Sequence, residues 1–370
     1  MGLKKGRVTF SRFELHTDMP ADFSVKFDEM IQKGAFNDLF PENVEKTMGW
    51  VGLQKLYDKD FGYANHTVGN YRVFSLRIDK KSVPSALLKM KVSEIMRARM
   101  AERGVKRLPK NEREDIMESI RAKLLKQAPA VPSMVDVCWS MADGTIYVSS
   151  LSEKVLQDFQ DLFQTTFDLN LGLLTPWYSV QNNKANKAGE IADPGREFLT
   201  WLWFKSDEGG EMYVGDPSDN KVATVAFGKR IAFERKEGDD TKSVVCQGPH
   251  VTAPVEGKEA LRQGKMIKDA VFSVTDETGE WSLGLKGDTF QFQSVKLPTA
   301  EDAASTGKGY SGSSENDDLG EEGVLLERIS MIEHLTRTVD ALFNGFLKLR
   351  LSNDWPAEKQ KLVAWGNMDH

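Results

Sequence analysis

Three residues, Glu256-Gly257-Lys258, have the types and spacing for metal-assisted phosphodiester chemistry. In a Glu-x-Lys unit the carboxylate holds a divalent cation while the lysine stabilises the attacking hydroxide or the phosphate. Such a unit also needs an acidic ligand upstream on an adjacent strand. The upstream pairs Asp193-Pro194 and Asp216-Pro217 read as turns, so the unit stands without its partner. The five histidines, His16, His66, His250, His334 and His370, are scattered, with no His-x-x-x-His or Cys-x-x-Cys spacing, and read as surface or half-buried side chains. Cys138 lies beside Trp139 in an apolar run and reads as a buried, inert thiol. Gly264-Lys265 is followed by Met266 and lacks the upstream glycines that let backbone amides cradle phosphates, which argues against a nucleotide-driven motor. No metal and no cofactor is called for by these residues.

Charge carries a stronger signal. The formal net charge of −6 at first disfavours a nucleic-acid partner. Between Asp79 and Gln127, however, 14 Lys and Arg stand against seven acids, so that segment is +7 and the remainder −13. A local cationic segment in an acidic background steers a polyanion to one place. Arg97, Arg99, Arg113 and Arg121 are spaced along two predicted helical arms, and Lys106, Arg107 and Lys110 surround the turn between them. Lys265 and Lys268, just ahead of a predicted strand, add two more cations. The plainer reading is a solvated helical face whose Glu/Arg pairs only keep it soluble. Without a recognition helix or an aromatic-laced groove, the binding expected here is to phosphate and independent of sequence.

These side chains must be positioned by a chain of 370 residues, long enough for two or three packed units. Apolar residues at 40% and charged residues at 28% are ordinary for a folded protein. Two cysteines, Cys138 and Cys246, are too few for a disulfide framework, which points to a reducing, cytoplasmic compartment. The N-terminus has no secretory pattern, and no run is apolar enough to span a membrane.

The pattern predicts an α+β protein. Val8–Leu15 reads as a strand, followed by a helix capped at Asp22, with Phe23, Phe27, Met30 and Ile31 on one face and Gly34 as its stop. Strands near 49–53 and 71–78 follow. The order recurs in Met134–Trp139, the turn Asp143-Gly144, Ile146–Ser149 and a helix capped at Ser152 with Val155, Leu156, Phe159, Leu162 and Phe163 facing inward. Residues 1–82 and 129–175 are thus expected to form a central domain of two similar strand–helix units, with 83–128 as a projecting helical finger. Pro84 starts its first arm, striped by Leu88, Val92, Ile95, Met96 and Met100 as far as Gly104. Ile116, Met117, Ile120 and Leu124 stripe the return arm, and Pro129 and Pro132 close it. Residues 176–370 read as a β-rich base. Its runs are Phe198–Phe204, Val222–Phe227, Arg230–Glu234, Val244–Cys246, Ala270–Val274, Trp281–Leu285 and Phe290–Val295. The tryptophans of the first run, Trp201 and Trp203, read as core and not as a stacking platform. An acidic, low-hydrophobicity stretch over 299–323 reads as a mobile linker, ahead of a long amphipathic helix over 324–352.

Taken in order, several of these features resemble the recombination-associated RdgC family of bacteria. They are Met48-Gly-Trp-Val51, the Pro84-Ser85 start of the finger closing at Leu124-Leu125, the Asp143-Gly144 strand–turn–strand–helix unit, Glu197-Phe-Leu-Thr-Trp-Leu-Trp-Phe204, Gly264-Lys265, and a closing helix with Phe346-Leu-x-Leu-Arg-Leu351. The resemblance covers nearly the whole chain and includes no catalytic signature. It implies a non-enzymatic homodimer closed into a ring around duplex DNA, associated with the nucleoid and restraining RecA-promoted strand exchange. Finger tips would make one dimer contact, and Gln247 and Lys265 correspond by position to polar and basic residues near the hole. Where the family can carry an aromatic after the hairpin, this chain has Pro129. The alternative is a metal-dependent exonuclease acting on DNA ends, a label the family has carried; a third is an interaction scaffold with the hairpin as a dimerisation arm.

Overall fold

The computed structural model describes residues 2–40, 44–62, 65–182, 191–215, 221–237, 240–248, 254–299 and 320–368. Nearly all of the acidic stretch, together with Asp216-Pro217, His250 and His370, lies outside the described residues. The fold is α+β. In chain order the elements are β1 (Val8–Leu15), α1 (Phe23–Lys33), β2 (Lys46–Gly52), β3 (Thr67–Val68), β4 (Tyr71–Lys81), α2 (Ser85–Arg103), α3 (Lys110–Gln127), β5 (Ala130–Ser140), β6 (Ile146–Val148), α4 (Glu153–Phe167) and β7 (Leu171–Leu173). Then come α5 (Pro176–Asn182), α6 (Pro194–Asp207), β8 (Glu211–Tyr213), β9 (Val222–Glu237), β10 (Asp240–Gln247), α7 (Pro254–Arg262), β11 (Met266–Thr275), β12 (Glu280–Lys286), β13 (Phe292–Lys296), α8 (Glu321–Arg350) and α9 (Trp355–Asn367).

The described strands form one 13-stranded sheet in the order β10-β9-β11-β12-β13-β1-β6-β5-β4-β2, with β3, β7 and β8 pairing β4, β1 and β9. Strand β1 joins its two halves. Val8 and Phe10 pair antiparallel with β13, whereas Ser11, Arg12 and Phe13 pair with β6. In the half around β4 and β5, alternation sends Phe74, Leu76, Val137, Trp139 and Ile146 to the face covered by α1 and α4. Trp139 sits there among Phe23, Phe163 and Phe167, with ring centroids 5.1–5.7 Å away. Val73, Cys138 and Tyr147 belong to the other face, in the cluster that includes α8.

Phe198–Phe204 is not a strand, as expected above, but the middle of α6. An uninterrupted apolar run carries no period that separates a strand from a helix buried on all sides. The Asp193-Pro194 pair, expected to be a turn, is the N-cap and first residue of that helix, where proline's missing N–H is harmless. Phe198, Leu202, Trp203 and Phe204 are all buried. The two runs Val222–Phe227 and Arg230–Glu234 are parts of the one strand β9. Helix α8 buries Leu325, Ile329, Ile332, Leu335, Val339, Leu342, Phe343 and Phe346 and reaches both halves of the sheet. Its Asp340 accepts two hydrogen bonds from the buried Arg12 guanidinium, at 2.6 and 2.7 Å. Helix α9 had no counterpart in the sequence reading; Trp365 docks it, edge-on to Trp203 and donating to Asp207 Oδ2 at 2.9 Å.

Candidate nucleic-acid interface

Strands β4 and β5 pair along their whole length, from Tyr71↔Ser140 to Lys81↔Ala130, and the finger leaves from the open end of that ladder. Pro84 precedes α2, and Gly104 ends it at φ +63, a left-handed conformation that glycine adopts without the Cβ clash. The arms meet along Leu88, Val92, Met96 and Met100 on α2 and Ile116, Ile120 and Leu124 on α3, with Leu108 tucked beneath the turn. No residue of α2 is buried. Ile95 and Met117, expected in the stripe, are 39% and 48% exposed. A two-helix seam is one side chain wide, so it accepts the i, i+4 row and leaves the neighbour 100° around the helix in solvent.

The finger cations differ in how far they are neutralised. Arg99 and Arg103 share Glu112, at 3.4 and 2.9 Å. Lys110 lies 3.8 Å from Glu114, and Arg121 lies 2.9 Å from Glu45 at the finger root. Arg113 is half-buried, and its Nε has no hydrogen-bond partner. Arg97, Lys106 and Arg107 are exposed and, among the described residues, have no ion pair; Lys89 and Lys123 share that state without having been singled out by sequence. Lys106, Arg107 and Lys110 cluster at the tip as the spacing predicts.

The base residues are elsewhere. Gln247 is exposed at the end of β10 opposite Arg230, while Met266, next to Lys265, is opposite Glu234, about 13 Å further along β9 at about 3.3 Å per residue. The two are therefore not neighbours. Lys265 is buried and its Nζ donates to Gln263 Oε1. Lys268 is half-exposed and pairs with Glu234 at 2.5 Å. From β11 to β5 the sheet takes five steps, about 24 Å at about 4.8 Å each, and an arm of 19 residues adds about 28 Å. Only an extended polyanion could touch both groups of cations.

Lys268 belongs to a network that sequence reading missed. Arg196, near the start of α6, donates to Glu234 Oε1 at 2.9 Å and to both oxygens of Asp288 at 2.6 and 2.7 Å. The Asp288 hydrogen bonds outweigh burial and hold the Arg196 guanidinium's pKa above its ordinary value. Burial works to raise the Glu234 carboxyl, but hydrogen bonds from Lys268 and Arg196 prevail and hold it below the usual carboxylate range. The network borders a cleft of 410 Å³ that Trp177 also lines. The legible signal is Asp193-Pro194-Gly195-Arg196, which reads as a turn in sequence and is a helix start in the structure. Because Glu234's pKa is lower folded than unfolded, the stability it contributes is present above the unfolded pKa, about 4.3, and is lost as pH falls through the folded value. Urea unfolding of wild type and Glu234→Gln from neutral pH to pH 3 checks this: the acid loss should be smaller in the variant, and parallel curves would refute it.

Glu256-Gly257-Lys258 lies in α7, not on a strand. Residues i and i+2 share a face of a strand but point nearly opposite ways on a helix. Glu256 is exposed, whereas Lys258 is buried with its Nζ 4.9 Å from the Trp365 ring centre. The two cannot converge on one metal-bound phosphate. His66 departs from the surface reading: it is 1% exposed, packed on Phe27, with Nε2 3.0 Å from Asp28. Burial pushes the Cys138 thiol well up, with Glu333 and Asp143 adding to it, so it stays protonated. No helix among the described residues is long and apolar enough to cross a membrane.

Residues 10–183 match the family model described as "RdgC: Putative exonuclease, RdgC". No curated protein matches the chain.

Proposed function

From the match of residues 10–183 to the RdgC family model, we propose that the protein is a recombination-associated protein that binds duplex DNA through phosphate, without sequence preference. The observation that supports this most is the finger: a +6 segment in a chain of net charge −6, with Arg97, Lys106 and Arg107 exposed and without acidic partners among the described residues. Cations already neutralised by protein carboxylates have little to offer a phosphate; unpaired ones release counterions on contact. In this reading residues 83–128 are the finger, 1–82 with 129–175 the centre and 176–370 the base. Two chains close into a ring around the duplex, in the cytoplasm at the nucleoid, and the bound ring restrains RecA-promoted strand exchange.

The matched description keeps an exonuclease as the second reading. One experiment separates them. End-labelled duplex is incubated with the full-length protein and Mg²⁺ or Mn²⁺, then divided between a native gel and a denaturing one. A mobility shift with full-length strands is the outcome predicted. Progressive shortening from the ends would replace the binder by the enzyme, and no shift at low salt would leave the finger as a protein–protein arm.

A further inference from the structure

Between α4 and the turn joining β12 to β13 lies a second cavity, of 540 Å³, within the range that holds small organic ligands. Its floor is apolar, with Phe13 and Leu156 buried beneath it. Its wall sets neutral polar side chains, Gln157, Gln160, Thr289 and Gln291, among charged ones. Thr289 Oγ1 is buried there without a hydrogen-bond partner. Gln157 and Gln160 each spend one amide N–H within the protein, on Asp161 at 2.8 Å and on the Leu171 carbonyl at 3.2 Å. Their amide oxygens accept no hydrogen bond from the described residues, so the wall offers free acceptors beside an unsatisfied hydroxyl.

The wall is also preformed. Asp288 is gripped by both arms of Arg196, and Phe290 holds φ +47, an uncommon conformation for a bulky residue, with its ring packed 4.8 Å from Phe343. Thr289 is fixed between them. Lys268 and Lys286 stand at the cavity together with Glu153, Asp269 and Asp288. These carboxylates oppose a polyphosphate, whereas the apolar floor and the mixed neutral donors and acceptors suit a flat heterocycle. A single phosphate attached to that heterocycle would meet Lys286, whose Nζ donates to the neutral Gln291 Oε1 at 3.0 Å, whereas Lys268 is held by Glu234.

We infer that this cavity receives a single unstacked nucleobase, either swung out of bound DNA or carried by a free nucleotide. The first source rests on the DNA-binding reading above; the cavity itself does not. The probes are a duplex with 2-aminopurine opposite an abasic site, the same duplex fully paired, and free 2-aminopurine deoxyribonucleoside monophosphate. Each is titrated with wild type and with the Gln157→Leu/Thr289→Val variant, whose substitutions are close to isosteric. The unpaired duplex should give a fluorescence change absent from the paired one. Its half-point should shift by about tenfold in the variant, as expected for losing hydrogen bonds to the buried Thr289 hydroxyl and to Gln157 together, while the native-gel shift of the paired duplex is unchanged. A variant-sensitive signal from the free nucleotide alone supports the cavity with the nucleotide as its source, and would do so even if the protein failed to shift duplex DNA. A signal equal in wild type and variant, or none with either source, overturns the assignment.

Discussion

Replacing Leu108 by Asp should unravel the finger while the rest of the molecule stays folded. Leu108 follows the charged turn and by sequence looks like part of an exposed tip, but it is 3% exposed and closes a small core with Ile116 and Ile120. The substitution loses about 1.5–3 kcal/mol of apolar burial and places a carboxylate where it has no partner, so the total should exceed about 3 kcal/mol. Two helices sharing one seam have little stability to spare. Limited proteolysis should then cut within 83–128 only, and DNA binding should fall with it. Leu108→Met, which nearly conserves volume, should behave as wild type. If Leu108→Asp left the finger as protected as before, the seam described above would not be what holds the arms together.

The second large effect concerns the exposed cations. Neutralising Arg97, Lys106 and Arg107 together to Gln should flatten the dependence of log K on log salt by about three and weaken duplex binding by about a hundredfold near physiological salt. The effect should be the same for every duplex sequence. Arg99 and Arg103 already share Glu112, and Arg121 is paired with Glu45. Neutralising that set of three should cost markedly less, because each phosphate contact must first break an ion pair. Titrations in parallel decide between the sets; a larger loss from the paired residues would mean that those pairs open on binding and that ion pairing in the free protein is no guide to the interface.

Much of the fold was legible because its signals are local and periodic. Helix α1 runs from Phe23 to the Gly34 stop, the finger from Pro84 through Gly104 to the return arm, and the stripe of α8 as expected. Strands β11, β12 and β13 follow alternating runs between turns. What stayed hidden depends on contacts distant in sequence. Phe198–Phe204 has no period at all, and only its burial on all sides makes it a helix. The extra exposure of Ile95 and Met117 reflects how many helices are present to cover a stripe, which no single stripe reveals.

The same distinction divides the site. Fourteen cations in one segment are visible in composition, but which of them are free depends on where Glu112 and Glu45 land after folding. Lys265 looked available next to a strand and is buried, and Lys268 is committed to Glu234. The Glu-x-Lys fragment was decided by backbone geometry alone, since the chemistry needs a strand and the chain makes a helix there.

The central claim is phosphate-directed, sequence-independent duplex binding, and the most direct test is the affinity of the full-length protein for two duplexes of equal length and scrambled sequence across a salt series. The account predicts two coincident straight lines of log K against log salt, falling with a slope of about −0.9 for each phosphate contacted. Lines that separate by sequence and barely respond to salt would mean that base edges are being read, and would contradict it.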